Sequence, residues 1–265
     1  MNRIVSHLAF ENRYVSYLFR SVSRYKIHSP FVYDLVTEVL RDRSAIPGIE
    51  SIQRLRSELR HDRSIIMKLD FGAGRETQGS YPVSVRHLAI NSGTPPAKGR
   101  LLYKLAKRVS PGYALELGTS LGFSAACIKL AAPGCHLTTM EGAPEVAGLA
   151  RQNFKILGFD DIIVKEGRFA DTLPDYLAGI PALDLAFFDG DHRYEPTVNY
   201  YLQCAEKAGN DSLFIFDDIH WSPDMERAWN FITRHEQNTV TIDLFDFGLV
   251  FFRKESTKEH YIIRY

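Results

Sequence analysis

The second half of the chain alternates short apolar runs with longer segments whose apolar residues recur at helical spacing. The apolar runs lie at residues 113–117, 136–140, 161–167, 182–190 and 212–218. The helix-like segments lie at residues 123–132, 144–158, 169–179, 198–209 and 222–235. Strands that alternate with helices of this length predict βαβ units and a parallel sheet. Two final strand-like runs with a short connection predict an antiparallel hairpin, at 239–245 and 248–254.

The first half of the chain follows a different pattern. Its apolar spacing predicts amphipathic helices over residues 2–24, 30–42, 48–60 and 96–110. Residues 64–96 are rich in Gly, Ser and Pro and predict a loop. Within that loop, Asp70-Phe71-Gly72-Ala73-Gly74 imitates a ligand-binding glycine turn, but no helical pattern follows it. We therefore predict a helical extension with a lid-like segment over 1–95 and an α/β domain over 96–265.

The formal net charge of zero conceals a strong asymmetry between the two halves. Residues 1–110 contain 19 Lys and Arg against 9 Asp and Glu, whereas residues 111–265 contain 13 against 23. The neutral total argues against nucleic acid as a partner of the whole chain, although the basic front keeps RNA or an acidic membrane surface open. The aromatic residues of the first helix recur at helical spacing, which favours packing against the acidic half or in a homodimer. The basic residues in question are Arg13, Arg20, Arg24 and Lys26.

The composition narrows the class of protein further. With 45% hydrophobic and 24% charged residues, the chain has the composition of a globular protein. No apolar run reaches the roughly 18–20 residues that a membrane helix needs, and no signal peptide is evident. Cys127, Cys135 and Cys204 form no paired framework, which predicts a reduced, cytoplasmic location.

The glycine turn after the first strand of the α/β domain has three interpretations. Gly118-Thr119-Ser120-Leu121-Gly122 matches the G-x-S-x-G pattern of a hydrolase, which would make Ser120 a nucleophile. That arrangement needs earlier strands and an oxyanion loop, neither of which the front half supplies. A dinucleotide site is weakly supported, because Ser120 replaces the middle glycine that lets a pyrophosphate approach.

The third interpretation of the turn is a binding site for S-adenosylmethionine. This ligand carries no phosphate, so the middle glycine matters less than it does for a dinucleotide. Such a site needs one acid before the turn and another at the end of the next strand, where it accepts hydrogen bonds from the ribose hydroxyls. Glu116 and Glu141 stand at those two places. The second acid separates this interpretation from the hydrolase, which has no use for it.

Several segments of the sequence resemble those of a known family. They are LELGTSLGFS (115–124), TTMEGAPE (138–145), LAFFDGDHRYEPT (185–197) and IFDDIHW (215–221). Together they resemble the class I S-adenosylmethionine-dependent methyltransferases, in particular the catechol O-methyltransferase-like and sugar O-methyltransferase-like branches. IHSPFVYDL and DDIHWSPDMERAW also resemble a bacterial methyltransferase group of the Bacteroidota type, which does not indicate the substrate.

The resemblance implies a Rossmann-like fold with a mostly parallel seven-stranded sheet and a C-terminal antiparallel hairpin. It implies that the turn lines the methionine part of the cofactor, that Glu141 holds the ribose and that Phe169 contacts the adenine. The polar side chains common beside the adenine are missing here, so stacking or backbone contacts are expected. The cofactor-binding residues expected on this basis are Glu116, Gly118, Ser120, Gly122, Glu141, Gly142, Phe169 and Asp189.

Three carboxylates stand at the ends of two predicted strands, and ligands bind beyond the carboxyl ends of parallel strands. Asp189, Asp217 and Asp218 would repel one another unless a hard cation such as Mg²⁺ bound them. The resemblance implies such a metal at these positions, although catechol enzymes have Asn in place of Asp218. Asp191 or His192 would take the proton from the acceptor hydroxyl, and the sequence leaves the choice between them open.

The expected activity is therefore metal-assisted O-methylation of a small-molecule hydroxyl group. His220 and Trp221 are candidates for the wall that contacts the acceptor. The alternatives are a metal-independent N- or RNA methyltransferase, a Ser120 hydrolase, and a binding module that retains only the fold.

Overall fold

The structure is a computed structural model that describes residues 3–70 and 79–265. Its α-helices are α1 Arg3–Arg20, α2 Pro30–Asp34, α3 Ile49–Leu59, α4 Val85–Asn91, α5 Pro96–Val109, α6 Phe123–Ala131, α7 Pro144–Leu157, α8 Phe169–Ala178, α9 Tyr194–Ala205 and α10 Pro223–Arg234. Its strands are β1 Ile65–Asp70, β2 Gly79–Ser84, β3 Tyr113–Leu117, β4 His136–Glu141, β5 Ile163–Glu166, β6 Leu183–Phe188, β7 Ala208–Asp217, β8 Val240–Asp243, β9 Phe247–Phe251 and β10 Glu259–Ile262. A 3₁₀ turn occupies Arg24–Lys26, and α2 continues as a π-helix over Leu35–Leu40.

Eight strands form the main sheet in the order β10-β8-β9-β7-β6-β3-β4-β5. β3, β4 and β5 pair in parallel, whereas β9 runs antiparallel to β7 and β8. The predicted α/β class, parallel strands and C-terminal hairpin are confirmed. The predicted number of seven strands is one short, because Glu259–Ile262 pairs in parallel with β8. This four-residue edge strand is half exposed and lacks the continuous apolar run by which the other strands were predicted.

The chain divides into two compact units. The terminal unit comprises Met1–Asp42 and Phe187–Tyr265, and the central unit comprises Arg43–Ala186. The predicted boundary between residues 95 and 96 falls inside the central unit, and the division at that point stays a prediction.

The core of the central unit is built on α6. Every residue of this helix from Phe123 to Lys129 is buried, because most of its side chains are small or apolar and can pack on all its faces. α5 and α3 pack against it. Gly99 of α5 permits a close approach, since a Cβ built there would lie 3.1 Å from Sγ of Cys127.

The prediction of a loop over residues 64–96 is wrong for most of this range. Ile65–Asp70 and Gly79–Ser84 form an antiparallel ribbon that packs on α7. Ser84 then begins α4, and its hydroxyl accepts a hydrogen bond from the N–H of His87 at 3.1 Å. Exposed Ile65 and Met67 hid the strand from the apolar pattern. The glycine turn at 70–74 falls, after Asp70, outside the described residues, and the lid role stays a prediction.

The terminal unit holds α1 against its own strands. The Tyr17 hydroxyl donates to the carbonyl of Ile263 at 2.5 Å, and the N–H of Val22 donates to the carbonyl of Ile262 at 2.8 Å. The basic helix thus docks on its own chain, and a homodimer stays a prediction. Among residues 3–70 and 79–265, no helix combines the length and apolar character that a membrane crossing requires.

Candidate functional site

The turn between β3 and α6 has a backbone that ordinary residues rarely adopt. Gly118, Ser120 and Gly122 have φ angles of 106°, 48° and 81°. The N–H groups of Gly118 and Thr119 donate to the carbonyl of Met140 at 3.0 and 3.2 Å, which fixes the turn against the neighbouring strand β4. Ser120 lacks the freedom of glycine, so its left-handed conformation is maintained by these surrounding contacts.

Glu116, the acid before the turn, is fully buried. Its Oε2 accepts a hydrogen bond from the Thr139 hydroxyl at 2.5 Å, and the hydroxyls of Thr119 and Thr139 lie 2.6 Å apart. Burial raises the pKa of Glu116 to about 7, against the opposing effect of its polar contacts with Ser124 and Thr139. Sequence reasoning missed Thr139, although its position in β4 beside Glu116 follows from the parallel register.

Glu141 ends β4 and reaches back to the turn. Its two carboxylate oxygens accept hydrogen bonds from the N–H groups of Ser120 and Ala143, each at 3.0 Å. Burial raises the pKa of Glu141, and these two N–H groups oppose that shift. Each oxygen uses one lone pair on the backbone, so each retains capacity for a ligand hydroxyl. Gly142 lies between Glu141 and Ala143, and its backbone also lowers the pKa of Glu141.

The central unit therefore brings Glu116, Ser120 and Glu141 into one cluster, as predicted from the sequence. Phe169 is the first residue of α8 and is half-buried. The N–H of Gly167 donates to the Glu141 carbonyl at 3.0 Å, which fixes the chain just before this helix beside the same strand end.

Two buried polar atoms of this cluster have no hydrogen-bond partner among the described residues. They are Oε1 of Glu116 and the hydroxyl oxygen of Ser120. Buried polar groups are nearly always satisfied, so a pair of unsatisfied oxygens at a glycine turn points to a missing polar ligand. The cluster thus fits a cofactor that presents hydroxyl and amino groups.

In the terminal unit, Asp189 follows β6 and begins a short polar loop. Nε2 of His192 lies 3.7 Å from Oδ1 of Asp189. Both carboxylate oxygens of Asp191 accept hydrogen bonds from the Arg193 guanidinium, at 2.5 and 2.8 Å. Sequence reasoning missed this two-point pairing, which commits Asp191 to a charged partner.

Asp217 ends β7, and Asp218 follows it. Oδ1 of the buried Asp217 accepts a hydrogen bond from the Asp218 N–H at 2.9 Å, and Asp218 has a φ of 53°. Across residues 3–70 and 79–265, no three His, Cys, Asp or Glu side chains are grouped as a metal site requires. The predicted binding of Mg²⁺ by Asp189, Asp217 and Asp218 stays a prediction.

His220 has a role that the sequence did not reveal. Its Nε2 lies 2.8 Å from Oδ2 of Asp243, and its Nδ1 lies 3.2 Å from Oε1 of Glu226. The Arg13 guanidinium in turn donates to the other oxygen of Glu226 at 3.1 Å. The position of His220 is thus explained by an ion-pair network that holds α1, whereas Trp221 is 63% exposed and remains accessible.

The central turn and both groups of acids lie in the part of the chain that is similar to known proteins. Residues 115–219 match a family model described as a methyltransferase domain. A "Probable O-methyltransferase" of Mycobacterium tuberculosis is 35% identical over 125 residues, which cover 44% of this chain and 53% of that protein. Catechol O-methyltransferase B of Danio rerio is 36% identical over 108 residues, covering 39% of this chain and 40% of that protein. Residues 115–219 thus match a methyltransferase domain, and this part of the chain is similar to catechol O-methyltransferases and related O-methyltransferases.

Solved structures extend the likeness beyond the methyltransferase domain. An O-methyltransferase from Bacillus cereus, solved in complex with SAH, has a TM-score of 0.55 at 17% identity and covers 83% of this chain and 97% of its own. At that identity the likeness establishes the fold, which is the predicted Rossmann-like arrangement. The chain spans about half or less of the length of the curated relatives described above, at 53% and 40%.

Proposed function

We propose that this chain transfers the methyl group of S-adenosylmethionine to a hydroxyl group of a small molecule. The observation that carries the proposal is the buried cluster of Glu116, Ser120 and Glu141, with its two unsatisfied oxygens. The family likeness supports the same chemistry, because the relatives named above are O-methyltransferases. The three cysteines are free and buried, which agrees with a reduced, cytoplasmic location as part of this proposal.

The cofactor would be held by three kinds of contact. Glu141 would accept hydrogen bonds from the ribose hydroxyls through its remaining lone pairs, and Phe169 would stack on the adenine. The turn from Gly118 to Gly122 would accommodate the methionine part, because two of its residues carry no side chain. When bound, the cofactor supplies an electrophilic methyl group on a positively charged sulfur, and the protein supplies alignment.

The proton of the acceptor hydroxyl needs a base, and we propose His192. The pairing of Asp191 with Arg193 supports this choice, because both carboxylate oxygens already serve a guanidinium. His192 instead lies beside Asp189, a carboxylate that would stabilise the imidazolium formed by proton transfer. Asp191 would then position the loop through Arg193.

Metal assistance stays a prediction from the sequence, and no step is assigned to it. Among the described residues, no three His, Cys, Asp or Glu side chains are grouped as a metal site would require. Activity after treatment with EDTA, with and without added Mg²⁺, decides the question. A loss that Mg²⁺ restores would establish the metal, and unchanged activity would remove it.

A Ser120 hydrolase is less well supported than a methyltransferase. A serine nucleophile requires a base at hydrogen-bond distance, but the Ser120 hydroxyl has no partner among the described residues. An RNA substrate is disfavoured because Arg13, one of the basic residues of the front half, is paired with Glu226 of the same chain.

Calorimetry with S-adenosylmethionine tests the proposed cofactor. Glu141→Gln should weaken binding by about ten- to a hundredfold, because the variant loses a charged hydrogen-bond acceptor for the ribose. Glu166→Gln is the matched control: Glu166 is the parallel neighbour of Glu141 at the end of β5, but its side chain pairs with Arg151 at the surface. Absence of binding by the wild-type protein, or equal binding by both variants, would contradict the proposal.

Transfer of labelled methyl groups to a panel of hydroxylated small molecules tests the activity itself. His192→Gln should lower the turnover about a hundredfold or more and leave cofactor affinity unchanged, because general-base catalysis contributes on that scale. Asp191→Asn provides the comparison. If Asp191→Asn abolishes turnover while His192→Gln does not, the assignment of the base is reversed.

A further inference from the structure

A buried arginine of the central unit has no ionic partner. Arg56 of α3 is only 7% exposed, and its guanidinium carbon lies 4.3 Å from the centre of the Phe123 ring. Among the described residues, no carboxylate pairs with its side chain and no acceptor forms a hydrogen bond with it. The ring satisfies one face of the cation, while the N–H groups at its edge remain available.

Arg56 lines a small cavity of about 20 Å³. The polar part of its lining comes from Arg56, Gln53 and Thr94, and the rest is largely apolar, including Ile49 and Phe123. Thr94 is 8% exposed, and its hydroxyl also has no hydrogen-bond partner within the described part of the chain. Two residues with little exposure, 7% for Arg56 and 8% for Thr94, thus line the same cavity, and neither side chain has a hydrogen-bond partner among the described residues.

The electrostatics of the pocket are those of an anion site. Burial lowers the pKa of Arg56, and the nearby Arg60 lowers it further, so the cation lacks compensation. A thiolate at Cys127 would stabilise the Arg56 cation. Burial raises the pKa of the Cys127 thiol to about 12, however, so the thiol is neutral at pH 7. A buried charge without a partner is costly, and an anion that donates no hydrogen bonds would remove that cost.

We propose that the pocket formed by Arg56, Thr94 and Phe123 binds one small monoanion. A volume of about 20 Å³ admits an occupant about the size of a water molecule, which fits a chloride ion or one end of a carboxylate group. The anion can come from two sources, free solution or the cofactor. Phe123 directly follows Gly122 of the turn, so the methionine carboxylate of the proposed cofactor is a candidate occupant.

Chloride is the probe for the free anion. The midpoint of thermal unfolding is measured in sodium chloride and in sodium gluconate at equal ionic strength, because gluconate is too large for the cavity. We expect a chloride-specific rise for the wild-type protein, and a half-saturating chloride concentration at least tenfold higher for Arg56→Met. Arg60→Met is the control, since Arg60 is an exposed arginine just after the same helix.

Thr94→Val keeps the charge and the shape of the pocket and removes only the hydroxyl. If Arg56→Met fails to fold, this variant decides the chloride arm, with an expected increase of about three- to tenfold in half-saturating chloride, the scale of one hydrogen bond. An equal chloride response in Thr94→Val, Arg56→Met and the wild-type protein would overturn the free-anion source.

The second arm rests on the proposed function and compares S-adenosylmethionine with its decarboxylated form by calorimetry. If the cofactor carboxylate occupies the pocket, Arg56→Met weakens binding of S-adenosylmethionine about tenfold and leaves the decarboxylated form unaffected. Failure of both arms overturns the anion site. If the wild-type protein binds neither form of the cofactor, the proposed function fails, and the chloride arm alone judges the pocket.

Discussion

Replacing Gly122 with alanine should destabilise the turn through two separable effects. Gly122 has a φ of 81°, and a Cβ built there would lie 2.5 Å from Cε1 and 2.6 Å from Cζ of Phe154. Phe154 is 2% exposed, so its ring has little room to retreat. The left-handed conformation costs an L-residue about 1–2 kcal/mol, and overpacking of a core costs about 1–3 kcal/mol. We therefore expect Gly122→Ala to lower the free energy of unfolding by about 2–5 kcal/mol.

Gly158→Ala isolates the conformational part of that cost. Gly158 ends α7 with a φ of 75°, and a Cβ built there has no heavy atom within 4 Å. Its replacement should cost about 1–2 kcal/mol, because only the left-handed backbone opposes it. The difference between the two variants, about 1–3 kcal/mol, then measures the contact with Phe154.

Urea unfolding followed by circular dichroism gives both free energies, and a double variant supplies the decisive control. Phe154→Leu removes the ring atoms that the new methyl group would meet. The double variant with Gly122→Ala should therefore lose less free energy of unfolding than the sum of the losses of the two single variants. If Gly122→Ala and Gly158→Ala cost the same, or if the double variant shows simple additivity, the steric argument is wrong.

Two further predictions concern buried ionisable groups. Folding raises the pKa of Glu116 from 4.5 to about 7, so the folded state binds more protons between these two pH values. The free energy of unfolding therefore falls as the pH rises through this range. Glu116→Gln should remove up to about 3 kcal/mol of this pH dependence, measured by urea titrations from pH 4.5 to 8. A flat profile for the wild-type protein would contradict this. His220→Ala should cost about 3 kcal/mol near pH 6, because it leaves Asp243 buried without its partner. The contacts with Asp243 and Glu226 raise the pKa of His220 against the lowering effect of burial, so its stabilisation is complete below pH ~6.5 and declines as the pH rises through the folded value. The same cost at pH 6 and at pH 9 would refute the reasoning.

The strands and helices of the α/β region were predictable because local signals agree there. β3 and β6 are mostly apolar runs that are buried along almost their whole length, and Ser222 begins α10 by accepting a hydrogen bond from the N–H of Met225. Glu116 and Glu141 were predictable for a topological reason, since adjacent parallel strands place their carboxyl ends side by side.

The remaining features depend on contacts that local sequence does not encode. His220 and Asp243 are 23 positions apart, and their pairing follows from how β8 and the loop after β7 lie within the terminal unit. The ribbon of β1 and β2 is half exposed, so its apolar pattern resembles that of a loop. Arg56 belongs to an ordinary amphipathic helix in the sequence, and only the packing of Phe123 over it reveals a buried cation.

Backbone strain occurs at several residues that the sequence predicts to belong to the site. Among the described residues, non-glycine residues with positive φ are Ser110, Ser120, Asp191, Asp218 and Phe245. Three of these are candidate site residues predicted from the sequence, and each of the three follows a strand of the main sheet, namely β3, β6 and β7. Such conformations cost about 1–3 kcal/mol each and persist only where the surroundings impose them. Because side-chain direction depends on φ, a strained residue after a strand directs its side chain where a regular turn would not. The strained backbone at Ser120, Asp191 and Asp218 is consistent with the roles predicted for these residues, and those roles stay predictions.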